Sequence, residues 1–114
     1  MYRPFLALAG LLGAVGVATA AAASHGGDTN LGIVANFLLF HAPAFIGLSL
    51  IPHSRPLTIA GYALAAGLGL FCGDLASRSL LGHALFPMAA PIGGGALILG
   101  WLLVSASALF NRRT

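Results

Sequence analysis

Four long apolar runs occupy most of this 114-residue chain and limit what it can fold into. They cover approximately residues 5–24, 31–51, 57–81 and 88–110. A helix rises about 1.5 Å per residue, so about 20 residues cross a hydrocarbon core of about 30 Å. The runs are continuously apolar instead of alternating, as the strands of a membrane β-barrel would be. We therefore predict an all-α membrane protein of four antiparallel transmembrane helices, with residues 1–114 forming one domain.

The charged residues are too few to cover a water-facing surface. They make up 6% of the chain, against about 25% in an ordinary soluble domain. The basic residues are arginines at the ends of apolar runs, as in membrane proteins, and they form no nucleic-acid-binding patch. The single cysteine, Cys72, excludes an intrachain disulfide and a multi-cysteine metal site, and we expect it to be a packing residue.

The first apolar run shares features with a cleavable signal peptide. Arg3 precedes it and small residues fill positions 18–24. The apolar core of a signal peptide is usually about 7–15 residues long, and this run is longer. We expect it to be retained as a helix.

The arginines also predict an orientation. Short links at 25–30, 52–56 and 82–87 make successive helices antiparallel neighbours. With the amino terminus inside, Arg3, Arg55, Arg112 and Arg113 fall on the cytoplasmic side, and only Arg78 falls on the other. The positive-inside rule then places both termini in the cytoplasm.

Small residues recur at every fourth position of the third run, at Gly61, Ala65, Gly69 and Gly73. In lipid there is little hydrophobic drive between helices, so close backbone approach must hold them together. We predict that these residues form a packing stripe.

Asp74 is an ionisable residue inside the third predicted helix. It lies about 25 Å along that helix, towards the outer boundary, and Arg78 follows one turn later in a favourable order for an ion pair. Two interpretations remain open. The residues form a neutralised local pair, or Asp74 handles protons or cations.

His41 lies near the middle of the second predicted helix, two positions before Pro43. A histidine at that depth must face protein or water, because an unpaired polar group in lipid costs several kcal/mol. It is either a hydrogen-bonded packing residue or a contact for haem, metal or quinone. No second ligand at a diagnostic spacing accompanies it.

His25, Asp74, Arg78 and His83 are all predicted near the outer boundary, where they either line a shallow site or are ordinary interfacial residues. His41 is about 10 Å deeper. We therefore expect Asp74 to pair with Arg78 or His25, and His41 to bond to backbone or to a neighbouring helix.

The sequence contains no recognisable catalytic motif. A nucleotide-binding loop, a zinc motif and a nucleophile–base arrangement are all missing, and the glycines at 93–95 do not follow a strand. We expect no enzyme activity, no catalytic or metal-binding residue and no cofactor.

These landmarks resemble the YgdD-like family of small bacterial membrane proteins, a domain of unknown function with a mitochondrial relative in animals. The strongest similarity runs from Pro91, Gly93 and Gly94 to Gly100 and Trp101. Residues 70–73, 40–42 and 23–25 also match family segments. The resemblance implies four helices in a bacterial inner membrane, and it supplies no activity. We add these five residues to the predicted packing set.

Several positions depart from the family pattern. Phe37 and Leu38 stand where the family usually has tyrosine and glutamine. Fewer polar side chains are therefore expected around His41 in this chain. Asp74 and Ala76 replace a serine and a tyrosine. We therefore expect no role that depends on those hydroxyl groups in this chain.

Three functions fit these observations. The leading hypothesis is a non-enzymatic accessory or assembly subunit that packs, within the bilayer, against other membrane subunits or a second copy. The second is a small transport or ligand-binding protein that uses His25, His41 and Asp74. The third is a redox subunit that binds haem or quinone through His41.

Overall fold

The computed structural model describes residues 1–52 and 54–110, and these residues form four α-helices. The helices are α1 (Arg3–Gly26), α2 (Thr29–Leu50), α3 (Arg55–Leu80) and α4 (Ala89–Phe110). Each is long and apolar enough to cross a membrane, which confirms the predicted fold class. Arg112 and Arg113, which contribute to the predicted orientation, lie outside the described residues.

Helices α1, α2 and α3 begin slightly earlier than their apolar runs because their first turns contain polar residues or a proline. Pro4 and Pro56 lie in the first turns of α1 and α3, where their missing N–H groups cost nothing. The Asp28 and Ser54 side chains cap α2 and α3 by accepting from the backbone N–H groups three residues on. A count of apolar residues alone does not detect these positions.

The chain folds as two antiparallel hairpins, α1 with α2 and α3 with α4, which meet through α2 and α3. The backbone N–H of Tyr2 donates to the Ser49 carbonyl (2.8 Å), so the start of α1 lies beside the end of α2. The Cα extents of 48 × 27 × 17 Å describe a flattened bundle. Its core includes the fully buried Phe45 and Leu64, together with Cys72.

Three glycines bring α3 and α4 together. A Cβ atom added at Gly93 would lie 2.5 Å from the Phe71 backbone nitrogen and 2.8 Å from the Gly67 carbonyl oxygen. A Cβ at Gly100 would lie 2.9 Å from the Leu64 side chain. A side chain at Gly93 would therefore force the helices apart, because backbone atoms cannot move aside locally. A side chain at Gly100 would displace the buried Leu64 side chain.

The predicted stripe on α3 is not a continuous contact surface. A Cβ at Gly61 would collide with the buried Phe5 ring, but one at Gly69 would meet no atom within 4 Å. Each step of four residues turns about 40° beyond a full circle, so Gly69 is rotated by about 80° from Gly61. The packing prediction for Gly69 is wrong within the monomer, and Gly67 makes the close contact instead.

Two further residues of the predicted packing set lie at the surface. Pro91 is exposed in the first turn of α4, a position that proline tolerates because those N–H groups have no partner within the helix. Trp101 is 43% exposed and packs only part of its ring system against α2. Neither residue is therefore buried between helices of the monomer, and packing of either against another subunit stays a prediction.

Candidate functional site

Asp74 is completely buried and both of its carboxylate oxygens are engaged. Oδ2 accepts from the Arg78 Nε–H group at 2.9 Å, and Oδ1 accepts from the Leu85 backbone N–H at 3.0 Å. The expected pairing with Arg78 is therefore present. The contact with Leu85 adds a structural role, because it fixes the link between α3 and α4 to the end of α3.

A second carboxylate on the same side of the bundle connects the two hairpins. The Ser79 hydroxyl of α3 donates to Asp28 Oδ2, while Oδ1 caps α2 by accepting from the Leu31 N–H at 3.2 Å. The Ser79 hydrogen bond holds the pKa of Asp28 below its ordinary value. Sequence reasoning missed this contact, although an aspartate just before an apolar run is a recognisable helix cap.

The two histidines predicted near this boundary do not join the carboxylates. The His83 ring donates from Nδ1 to the Ala84 carbonyl (2.9 Å), and the His83 carbonyl accepts from the Ser77 hydroxyl (2.6 Å). His25 is exposed, and its side chain forms no hydrogen bond with the described residues. The outer group is therefore not one site.

His41 is buried in the middle of α2 and uses both ring nitrogens. Nδ1 lies 2.7 Å from the Phe37 carbonyl, which can only accept, so Nδ1 carries the proton. Nε2 then accepts from the indole N–H of Trp101 on α4 at 3.2 Å. His41 does not contact Asp74 and, as expected, bonds to backbone and to a neighbouring helix.

A cavity of about 480 Å³ lies beside this pair, bounded by α2, α3 and α4. Its walls include Phe37, Phe71, Leu97 and Gly94, in addition to His41 and Trp101. Ile98 and Leu102, at its margin, are 63% and 60% exposed. The cavity therefore opens at the lateral surface of the bundle.

The outward surface of α2 carries a polar residue that sequence reasoning missed. Asn36 is exposed, and its side chain forms no hydrogen bond with the described residues. Phe40, Pro43, Gly47 and Leu50 share its side of the helix and are also exposed. We call these five residues the outer face of α2. The available signal in the sequence was the amide side chain of Asn36 within an apolar run long enough to span a membrane.

The described residues provide little reactive chemistry. No three of their His, Cys, Asp or Glu side chains are close enough to share a metal ion. The polar groups instead connect helices, at Asp74 and Asp28 near the links and at His41 in the middle. This arrangement can bind a ligand beside His41 or a partner on the outer face of α2.

The comparisons with known proteins agree with the sequence landmarks. The model of a family described as a protein of unknown function, DUF423, matches residues 9–94. No solved structure matched the chain. Since the match covers most of the sequence, this small four-helix membrane protein belongs to the DUF423 family.

Proposed function

We propose that this protein is a non-enzymatic accessory subunit of a larger membrane complex, located in a bacterial inner membrane with both termini in the cytoplasm. The observation that carries the proposal is the position of Asn36 on the outer face of α2. The occupant we assign to that face is a transmembrane helix of another subunit, with a polar side chain opposite Asn36.

Asn36 lies seven positions after Thr29, or about 10 Å along α2. A helix of 22 residues spans about 33 Å, so this amide is inside the hydrocarbon layer when α2 crosses the membrane. An amide without a partner in that layer costs several kcal/mol. A polar side chain on an adjacent helix would remove this cost.

The rest of the outer face suits helix packing. At about 100° per residue, its five residues occupy an arc of about 80°. Gly47 has no atom within 4 Å of an added Cβ, so a second helix can approach the backbone there. Phe40, 71% exposed, provides apolar surface one turn from Asn36. A polar group and a small residue on the same side of one helix, with an aromatic ring between them, favour a protein partner over lipid.

Haem ligation through His41 and transport through Asp74 have less support. Haem ligation by His41 would require Nε2, which accepts from Trp101, to exchange that hydrogen bond for an iron ligand. Transport through Asp74 would require its carboxylate to leave both Arg78 and Leu85. Neither residue has a free atom directed at a substrate.

Arginine placement supports the proposed orientation. Arg3 and Arg55 are at the starts of α1 and α3, which lie on one side of an antiparallel arrangement. Arg78 is near the end of α3, on the opposite side. The majority side is cytoplasmic under the positive-inside rule.

Site-specific cross-linking in native membranes tests the accessory role. A photoreactive amino acid at Phe40 should give one discrete product with another membrane protein, identified by mass spectrometry. The positional control carries the same photoreactive amino acid at Val17, which is exposed on α1, and it should not give this product. When Asn36→Leu is combined with the photoreactive amino acid at Phe40, the yield of the cross-linked product should fall at least fivefold. The reason is that the Asn36 amide can no longer bond to the partner.

Thr19→Val is the matched control for the loss of a polar group, because the Thr19 hydroxyl donates to the Val15 carbonyl of its own helix. It should leave the Phe40 product unchanged. Cross-linking of Phe40 to lipid alone, or an equal yield with Asn36→Leu, would overturn the proposal. A product containing only a second copy of this chain would replace the accessory role by homo-oligomerisation.

A further inference from the structure

The lateral cavity beside His41 has the size and wall chemistry of a ligand site, and this feature is independent of the outer face of α2. Its volume of about 480 Å³ falls within the range of about 300–1,000 Å³ typical of small-molecule pockets. Its margin is formed by exposed residues of α4, so a ligand dissolved in the bilayer could enter without passing through water.

Aromatic rings dominate the wall. The Phe37 and Phe71 centroids are 4.6 Å apart, and the Phe37 and His41 rings are stacked with an interplanar angle of 16° and centroids 6.2 Å apart. The centroids of the Trp101 and His41 rings are 5.7 Å apart. Flat aromatic surfaces pack favourably against another planar ring. An acyl chain would gain less from such walls.

His41 and Trp101 are the polar members of the wall, and together they offer one donor and one acceptor. The Trp101 N–H donates to His41 Nε2 over 3.2 Å, at the long end of the usual range. When a ligand replaces this hydrogen bond, its carbonyl could accept from the Trp101 N–H, and its hydroxyl could donate to the Nε2 lone pair that Trp101 otherwise occupies. The described wall carries no charged side chain, so a charged ligand would lose its hydration without a counter-ion.

We propose that this cavity binds a neutral, lipid-soluble ring compound with an oxygen on the ring, of the quinone and quinol class. The ring lies between Phe37, Phe71 and Trp101, and its oxygen bonds to the Trp101 N–H. The apolar tail leaves past Ile98 into the bilayer. The proposal concerns binding and requires no chemical step.

Tryptophan fluorescence provides a direct test, because Trp101 is the only tryptophan in the chain. The protein is placed in phosphatidylcholine nanodiscs and titrated with decylubiquinone, which quenches indole emission. Saturable quenching at one quinone per chain is expected. The comparison between two neighbouring substitutions then separates binding in the cavity from collisional quenching.

Gly94→Leu places a side chain in the cavity, where an added Cβ meets only Phe71 at 3.8 Å. Gly95→Leu is the matched control, because a Cβ there meets nothing within 4 Å. Gly94→Leu should weaken binding at least tenfold, and Gly95→Leu should leave it unchanged. Linear quenching of equal strength in all three proteins would overturn the proposal.

Two further measurements complete the test. The ratio of Trp101 emission between nanodiscs with and without brominated acyl chains measures bromine quenching at each decylubiquinone concentration, and bound quinone should bring this ratio closer to one. Strong bromine quenching that the quinone does not reduce would assign the cavity to lipid. An azido-substituted decylubiquinone should label the wild-type protein on α2 or α4 near Phe37 or Ile98. This labelling keeps the proposal testable if Gly94→Leu fails to fold, and labelling confined to α1 would overturn it.

Discussion

Gly67 of α3 and Gly93 of α4 face each other so closely that each excludes a side chain on the other. A Cβ at Gly67 would lie 2.8 Å from the Gly93 carbonyl oxygen, and a Cβ at Gly93 would lie 2.8 Å from the Gly67 carbonyl oxygen. This reciprocal contact holds the second hairpin together by close backbone approach.

Gly93→Ala is therefore expected to destabilise the protein by about 1–3 kcal/mol, the usual cost of overpacking. The nearest atoms are backbone atoms of α3, which cannot rotate away as a side chain could. Gly95→Ala, two positions further along α4, should be tolerated because its Cβ enters open space. Unfolding in detergent measures both effects, and equal stability of the two variants would contradict the contact.

The hydrogen bond between Trp101 and His41 should contribute to the stability of the bundle across α2 and α4. Trp101→Phe leaves the buried Nε2 acceptor of His41 without its partner, which should cost about 1–3 kcal/mol. A double-mutant cycle with His41→Leu isolates the pair, because removing both partners leaves no unsatisfied group. Additive effects of the two substitutions would show that the residues are not coupled.

The fold was predictable because run length and hydropathy determine whether a helix can span a membrane. Contact positions were less predictable, since they depend on helix rotation and neighbouring helices. Gly69 and Gly67 are both small residues on α3, and only the packed helices show that Gly67 faces α4. His41 was recognisable as a polar residue in an apolar helix, but its partner Trp101 is 60 residues away in the sequence.

The polar residues near the links show the same limit. The pairing of Asp74 with Arg78 followed from their spacing on one helix. The bond from Leu85 to Asp74 and the contact between Ser79 and Asp28 depend on how the links fold, which spacing alone does not determine. Asn36 was missed for a different reason, because its importance depends on the side of α2 that remains uncovered.

The contact between Asp28 and Ser79 should make stability depend on pH in acid. The ordinary pKa of the carboxyl is 3.8, and the Ser79 hydroxyl lowers it in the folded protein. The stabilisation is therefore present above 3.8 and is lost as the pH falls through the lower folded value. Ser79→Ala should reduce this pH-dependent part of the free energy of unfolding.

Asp28→Asn is the matched control, because asparagine still caps α2 but does not titrate. Thermal unfolding at about pH 5 and about pH 3 should show a smaller acid loss for this variant than for the wild type. An identical acid loss in the wild type and in both variants would show that the contact does not couple to proton binding.

Cysteine accessibility can test the proposed orientation on the intact chain. In a Cys72→Ser background, Gly26→Cys places a thiol at the end of α1, and Ile51→Cys places one after α2 on the opposite side. A membrane-impermeant maleimide should label the first in intact spheroplasts, and the second only after permeabilisation. A reporter fused to Thr114 should also be cytoplasmic. Labelling in the reverse order would place Arg3 and Arg55 outside, which would contradict the orientation drawn from arginine placement.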